Sequence, residues 1–452
     1  MKYLRSVLLA LAAACIGSPS TAASDPSFVP VFRENFPDAF VLLHGSEFIA
    51  YTDDGSGNQN VTLMVQIPAS FDVNNPCIIT GTSSGSRGIY GAIATSGEWG
   101  LKNKCAVAYS DKGSGTGLYT FDDDSVNLQN GVRATRTAAG KNSNFTPNIS
   151  DADRAAFAAN KPGRVAFKHA HSQQNPEKDW GKYTLQAVEF AFYMLNEQYA
   201  MYSRDNTRHV VRFTPTNTIT IGSSVSNGAA SALLAAEQDT RGLIDGVAAT
   251  EPQIQPKTAT GYSIRQNGVP VTGQGKILID YSTYAALYQP CIASTAAAPG
   301  RCTALVAKGL LTGADLAAQQ ADALARLRAY GWLPDSDVLQ AAHALTNVLV
   351  AVTYTNAYGR FSAIDQVCGF SFAPVDATGS PVPFTPAQRA ASFATQNGII
   401  GTPIYEASVG GPKAYNLGVS PSTNLADQSL DGFLCLRALA TGIDPVNGNA
   451  LT

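Results

Sequence analysis

Short apolar runs and amphipathic helical stretches alternate through the first half of the chain. Val61–Ile67 (VTLMVQI), Cys77–Thr80 (CIIT) and Ala106–Ser110 (AVAYS) are apolar runs of strand length. Runs this short, with little polar alternation, suit strands that a parallel sheet buries on both faces. Ala94–Asn103, carrying Trp99, reads as a helix between the second and third of them. In Thr184–Tyr199 the residues Leu185, Val188, Phe192 and Leu195 fall three and four apart, which predicts a helix with one buried face. Asn217–Gly222 alternates β-branched with small polar residues, and Ala229–Gln238 is rich in good helix formers; together they predict a strand running into a helix. Leu243–Thr250 is the next strand. This order predicts an α/β class with a doubly wound, mostly parallel sheet.

Beyond about Gln253 the alternation stops. Gly313–Tyr330 and Asp337–Val352 read as helices, the second behind the capping cluster Pro334-Asp335-Ser336-Asp337. The expected division is therefore a core over residues 24–254 and a mainly helical cap inserted over the catalytic face across 255–452. Tyr281, Tyr284, Trp332, Tyr354 and Tyr358 would either fill that cap or line its cleft. Asn127–Lys161 is polar and irregular, as a surface excursion would be.

Composition narrows the function classes. Only 14% of the residues are charged, and 31 basic against 34 acidic groups give a net charge of −3. No basic field suggests a nucleic-acid partner, and no like-charge run suggests a tail. At Met1–Ala23, a basic start with Lys2 and Arg5, an apolar Val7–Ile16 and small residues at Ser20–Ala23 form a signal peptide. Cys15 sits one place away from a lipoprotein signal. No later stretch is apolar enough to cross a membrane, so a secreted or periplasmic protein with no membrane partner is expected. Six cysteines remain after Cys15, an even number in an oxidising compartment, which points to disulfides rather than metal ligands. Six cysteines allow fifteen pairings; pairing within each module gives Cys77–Cys105, Cys291–Cys302 and Cys368–Cys435.

The chemistry concentrates where the predicted strand meets the predicted helix. Ser224-Val225-Ser226-Asn227-Gly228 resembles the G-x-S-x-G elbow that raises a nucleophilic serine on a sharp strand-to-helix turn, with Ser224 in place of the first glycine. Small flanking residues let two backbones pass closely while the central side chain stands clear. Ser226 is thus the candidate nucleophile and the Asn227 N–H a candidate oxyanion donor; the alternative is an ordinary polar turn. The loop Gly81-Thr82-Ser83-Ser84-Gly85-Ser86-Arg87-Gly88 follows an early strand, where a second oxyanion donor near Gly85 would lie. A plain Gly/Ser turn fits it equally. Arg87 offers a grip on a substrate carboxylate, and Asp111 lies at a strand's C-terminal edge, as a functional group or a cap. His169 and His171, two apart on a loop, do not make a ligand signature; lining the cleft mouth or bonding nearby backbone is expected of them, and His171 is kept as a site-lining residue. Glu251, ending the strand after the elbow, is a candidate acid.

Three segments carry a family resemblance. The elbow SSVSNGAASALLAAEQ, the loop GTSSGSRGIYGAI and the stretch FKHAHSQQNPEKDWGKYTLQAVEFAF resemble, in order and spacing, the D-(−)-3-hydroxybutyrate oligomer hydrolase family over nearly the whole mature chain. The resemblance implies an α/β-hydrolase-like fold and a secreted serine esterase that cuts short 3-hydroxybutyrate oligomers to monomers, with Ser226 as nucleophile and neither cofactor nor metal. In α/β-hydrolases the acid and the histidine follow the serine along the chain. Here only His343 follows, inside a predicted helix. The expectation is that these 452 residues lack the C-terminal part bearing the triad acid and base, and that alone they are nearly inactive. A tannase- or feruloyl-type esterase and a non-catalytic exported binding protein on the same scaffold are the other readings.

Overall fold

The computed structural model describes residues 44–53, 60–115, 117–254, 260–271, 276–297, 299–376, 380–394, 403–406, 412–414 and 429–451. The signal expected at Met1–Ala23, with Cys15, lies outside the described residues.

The protein is mixed α/β. Its first sheet contains β1 (Gly45–Thr52), β2 (Val61–Pro68), β3 (Cys77–Thr82), β4 (Ala106–Ser110), β9 (Ile219–Val225) and β10 (Gly246–Thr250), in the order β1-β2-β4-β3-β9-β10. The strands β4, β3, β9 and β10 run parallel, whereas β1 and β2 add an antiparallel edge. The apolar runs are explained by layers on both faces. Helix α1 (Glu98–Lys102) brings Leu101 onto Met64, Val107 and Tyr109. On the other face, helix α2 (Trp180–Tyr199) buries Ala187, Val188, Ala191 and Leu195 against Val61, Leu63, Val65, Ala106 and Ala108. The expected strands and helices of this half fall within a few residues of their observed bounds.

Asn127–Lys161, expected as a surface excursion, is only partly one: it supplies the edge of a second sheet and buries Ala139 and Phe145, while its helix Asp151–Asn160 has no buried residue. A second, antiparallel sheet joins β5 (Leu118–Thr120), β6 (Ser125–Asn127), β7 (Arg133–Thr135), β8 (Val165–Phe167), β13 (Phe370–Phe372), β14 (Pro403–Glu406) and β15 (Pro412–Ala414), in the order β15-β14-β13-β8-β5-β6-β7. Two-residue strands β11 (Arg265–Gln266) and β12 (Val269–Pro270) form a small hairpin of their own. The second sheet takes strands from both sides of residue 254, pairing Phe372 with Val165.

The helical block rests on this second sheet. Helices α3 (Ser226–Gln238) and α2 belong to the first sheet, while α4 (Leu278–Ile292), α5 (Gly300–Ala307), α6 (Leu316–Tyr330), α7 (Gln340–Gly359) and α8 (Leu430–Thr441) make up the block. One cluster unites Ala286, Leu305, Leu327, Val348 and Leu436 of the block with Leu118, Phe167, Phe370 and Phe372 of the sheet. Three disulfides join Cys77 to Cys105, Cys291 to Cys302 and Cys368 to Cys435, the within-module pairing expected from the sequence. Among the described residues no helix is long and apolar enough to cross a membrane.

Candidate active site

The geometry centres on the junction of β9 and α3. The helix begins at Ser226 itself, three residues earlier than composition suggests, because Ser, Asn and Gly are modest helix formers. Ser226 adopts a φ of 59°, a left-handed conformation that costs an L-residue with a side chain on the order of 1–3 kcal/mol. Its side chain is exposed, while Asn227 and Gly228 behind it are buried. The close approach that makes the turn possible is explicit. A Cβ on Gly228 would lie 2.4 Å from both the Ser224 Oγ and the Thr82 carbonyl oxygen. Ser224 donates its hydroxyl to that same carbonyl at 2.6 Å, tying β9 to the end of β3. A small residue is thus needed at 224, and serine adds a bond that glycine cannot.

The loop after β3 meets the elbow through side chains. The Gly85 N–H donates to Asn227 Oδ1 at 2.6 Å, and Lys112 Nζ donates to the Gly85 carbonyl at 2.6 Å. Gly85 has a φ of 64°, which glycine adopts without strain. Its amide, expected as an oxyanion donor, is therefore already engaged. Ser83 Oγ donates to the carbonyls of Arg87 and Gly88, closing the loop on itself. The Ser84 amide has no hydrogen-bond partner among the described residues. Neither has the Arg87 guanidinium.

A buried polar layer lies beneath. Ser86 and His169 Nδ1 hydrogen-bond, and the His169 ring meets Tyr354 edge-on with centroids 4.8 Å apart. Asn227 Nδ2 donates to the Tyr354 hydroxyl at 3.4 Å. Burial, aided by the Lys112 charge, pulls the His169 pKa down to about 3, so the ring is neutral at pH 7. Lys112 is wholly buried and faces the Trp180 ring 5.3 Å away; desolvation lowers its ammonium to about 7 against the pull of Asp111 and Glu177. Burial raises the Glu177 carboxyl, which accepts from the Tyr358 hydroxyl at 2.9 Å and from Gln253 Nε2 at 3.3 Å. The Gln253 amide in turn donates to the Ser226 carbonyl at 3.3 Å. Tyr354 and Tyr358 lie on α7, so the helical block does reach the elbow.

Other sequence candidates lie elsewhere. Asp111 is a structural anchor: it accepts from the amides of Thr62 and Gly113 and forms a buried ion pair with Lys168 at 2.5 Å. His171 is buried and bonds nearby backbone, one of the two roles expected of it. Its Nδ1 accepts the Phe167 amide at 3.0 Å, its ring packs edge-on against Phe372, and burial pulls it down to about 3. His343, on α7, packs edge-on against Trp332, which follows α6. Glu251 follows β10, exposed and at a φ of 50°. None of the five histidines, all among the described residues, hydrogen-bonds to Ser226. Among the described residues no group of three or more His, Cys, Asp or Glu is arranged to hold a metal. A cleft of about 840 Å³ lined by Phe192, Asn196, Tyr202, His209 and Phe213 includes none of the residues around Ser226. Sequence reasoning missed Lys112, Glu177 and the Asn227 side chain. A lysine between Asp and Gly after a strand looks like an ordinary solvated turn, and no local pattern marks it.

Comparison with known proteins adds a decisive match. The model of the family described as 3HB-oligomer hydrolase covers residues 40–451. The chain belongs to this family. Relatives named D-(−)-3-hydroxybutyrate oligomer hydrolase include one from Polaromonas naphthalenivorans, 53% identical over 422 residues, covering 88% of this chain and 60% of the relative. Those from Albidiferax ferrireducens (51% over 425 residues, 89% and 60%) and Burkholderia thailandensis (48% over 420 residues, 88% and 60%) match this chain over similar shares. The chain thus spans about 60% of the length of the 3HB-oligomer hydrolases it matches.

Proposed function

We propose that this chain carries the nucleophile half of a serine esterase that hydrolyses 3-hydroxybutyrate oligomers to monomers. The observation that carries the reading is Ser226, exposed at a φ of 59° between a parallel strand and a helix. A serine held at this cost in the left-handed region, with its hydroxyl presented outward, suits a nucleophile and serves no packing purpose. The α/β-hydrolase reading of the fold is supported by four parallel strands with the elbow at the C-terminal end of β9. The substrate class comes from the relatives' names, and export from the three disulfides together with the Met1–Ala23 signal.

In the proposed reaction Ser226 Oγ attacks the ester carbonyl, its proton passes to a base, and the alcohol end of the oligomer leaves. Water then cleaves the acyl-enzyme to release 3-hydroxybutyrate and regenerate the serine. The Asn227 amide, in the first turn of α3, would hold the oxyanion, and the loop amide assigned beside it is Ser84, since that of Gly85 is engaged. The five histidines present have other partners or surroundings, so we place the triad acid and base in the part of the relatives' length that this chain does not span. Glu251 is left without a role.

A fluorophosphonate probe tests this. Labelling at Ser226, found by peptide mapping and lost in Ser226→Ala, together with turnover of 3-hydroxybutyrate dimer in the same preparation, is the expected result for the chain supplied with the remaining length of a relative. Labelling that persists in Ser226→Ala would overturn the assignment of the nucleophile.

A further inference from the structure

The loop that faces the candidate nucleophile is gripped at Gly85 from two directions. Gly85 has one amide donor and one carbonyl acceptor, and both are taken by side chains rather than by a strand ladder. The donor goes to Asn227, the residue that follows the nucleophile. The acceptor receives Lys112, which follows β4 at a φ of 49° and is fully buried. Both bonds measure 2.6 Å. Elsewhere the loop is tied by the Ser83 amide, which donates to the Ser110 carbonyl at 2.9 Å, and by Ser86, which hydrogen-bonds His169, while the Ser83 hydroxyl bonds stay within the loop; the turn at Gly85 between those ties is held by this pair of bonds.

Lys112 is an expensive choice for a packing residue. Its ammonium is removed from water with a single carbonyl as hydrogen-bond partner and an aromatic face at 5.3 Å, and a methionine would fill the same space without desolvating a charge. Asp111 is spent on Lys168, and Glu177 is held by Tyr358 and Gln253, so no carboxylate touches Lys112 directly. A fully buried lysine whose amino group has one carbonyl as its partner, beside a candidate nucleophile, has a positional task.

We propose that Lys112 and the Asn227 side chain clamp Gly85 and thereby hold the Ser83–Gly88 loop in register with Ser226. Lys112 is then a positioning residue: it touches neither ester nor nucleophile and acts through the loop peptide. The clamp also couples the two parts of the oxyanion site. Asn227 contributes its backbone amide at the elbow and, through its side chain, fixes the loop opposite. The catalytic side of this inference rests on the esterase reading above; the structural side does not.

Two readouts test it on the Lys112→Met and Asn227→Leu variants and their combination. Hydrogen exchange of peptides spanning residues 83–91, followed by mass spectrometry, reads the loop without needing activity. Each single variant is expected to speed exchange there about tenfold or more, and the double variant to add little beyond either, because both bonds hold the one residue Gly85 and losing either frees it. Kinetics of dimer hydrolysis, in the chain completed as above, should show kcat falling about tenfold or more with KM within twofold. Unchanged exchange in both single variants, or effects that add in full, would overturn the clamp. Should Lys112→Met not fold, Asn227→Leu alone decides by the same exchange and the same kcat-against-KM split. A wild-type protein with a protected loop but no Ser226 labelling would remove the esterase reading and leave the clamp standing; labelling with an unprotected loop would do the reverse.

Discussion

His169 and His171 show how little a residue's type says about its task. Both are buried neutral, with pKa values pulled down to about 3 by desolvation, against 6.5 for an exposed ring. In the unfolded chain they take up protons as the pH falls below about 6.5, whereas the folded chain resists until about 3. Stability from this source is therefore present above pH 6.5 and is lost on acidification across that window, by up to about 1.4 kcal/mol per pH unit for each ring. The combined His169→Asn and His171→Asn variant keeps an acceptor near each Nδ1. Its melting temperature should fall less than the wild type's between pH 6.5 and 4.5, and an equal fall in both would refute the account. At this scale the sequence was informative about the strand-to-helix turn at the proposed nucleophile and silent about its supports. Ser226 announces itself through small neighbours between a strand and a helix, but the partners of Gly85 come from residues 27 and 142 positions away, a distance no local pattern bridges.

Among the elements, the first sheet was readable because burial on both faces leaves apolar runs with glycine and polar residues between them. The second sheet was not. Its strands β5, β6 and β7 are three residues long, carry Thr, Ser, Asn and Arg, and β8 finds its partner β13 some 200 positions away at Phe372↔Val165. Such strands make no period of their own; the pairing creates them. The elbow helix is held close to the end of β3. Gly228→Ala would drive a methyl group into Ser224 and the Thr82 carbonyl, so α3 must retreat from β3. Overpacking of this kind typically costs about 1–3 kcal/mol. Urea unfolding of Gly228→Ala should show that loss, and Ser226 labelling should fall more steeply than stability, because the displaced turn no longer presents the hydroxyl. Wild-type midpoint and labelling would show that the approach is looser than described.

On the scale of the whole molecule, two sheets and a helical block are tied together unevenly. The helices and the second sheet share one apolar cluster, and Cys368–Cys435 links the approach to β13 with α8 across 67 positions. Replacing both cysteines with serine is expected to cost about 2–4 kcal/mol by releasing the unfolded chain. The helical block and second sheet should lose protection from hydrogen exchange first, with β2, β3 and β4 keeping theirs; uniform loss over both sheets would show that the parts unfold as one. Cys77–Cys105 by contrast staples β3 to the entry of β4 within the first sheet.

The left-handed backbone at Ser226 also bears on how members of this lineage age. A residue held at a positive φ taxes the fold in every generation, and on the proposed reading of Ser226 as nucleophile the use of its hydroxyl is what offsets the tax. A descendant that had abandoned hydrolysis for mere binding would gain stability by drifting to glycine at this one position, with nothing to lose. On that reading, glycine there in a related protein would be the fossil of a discarded reaction.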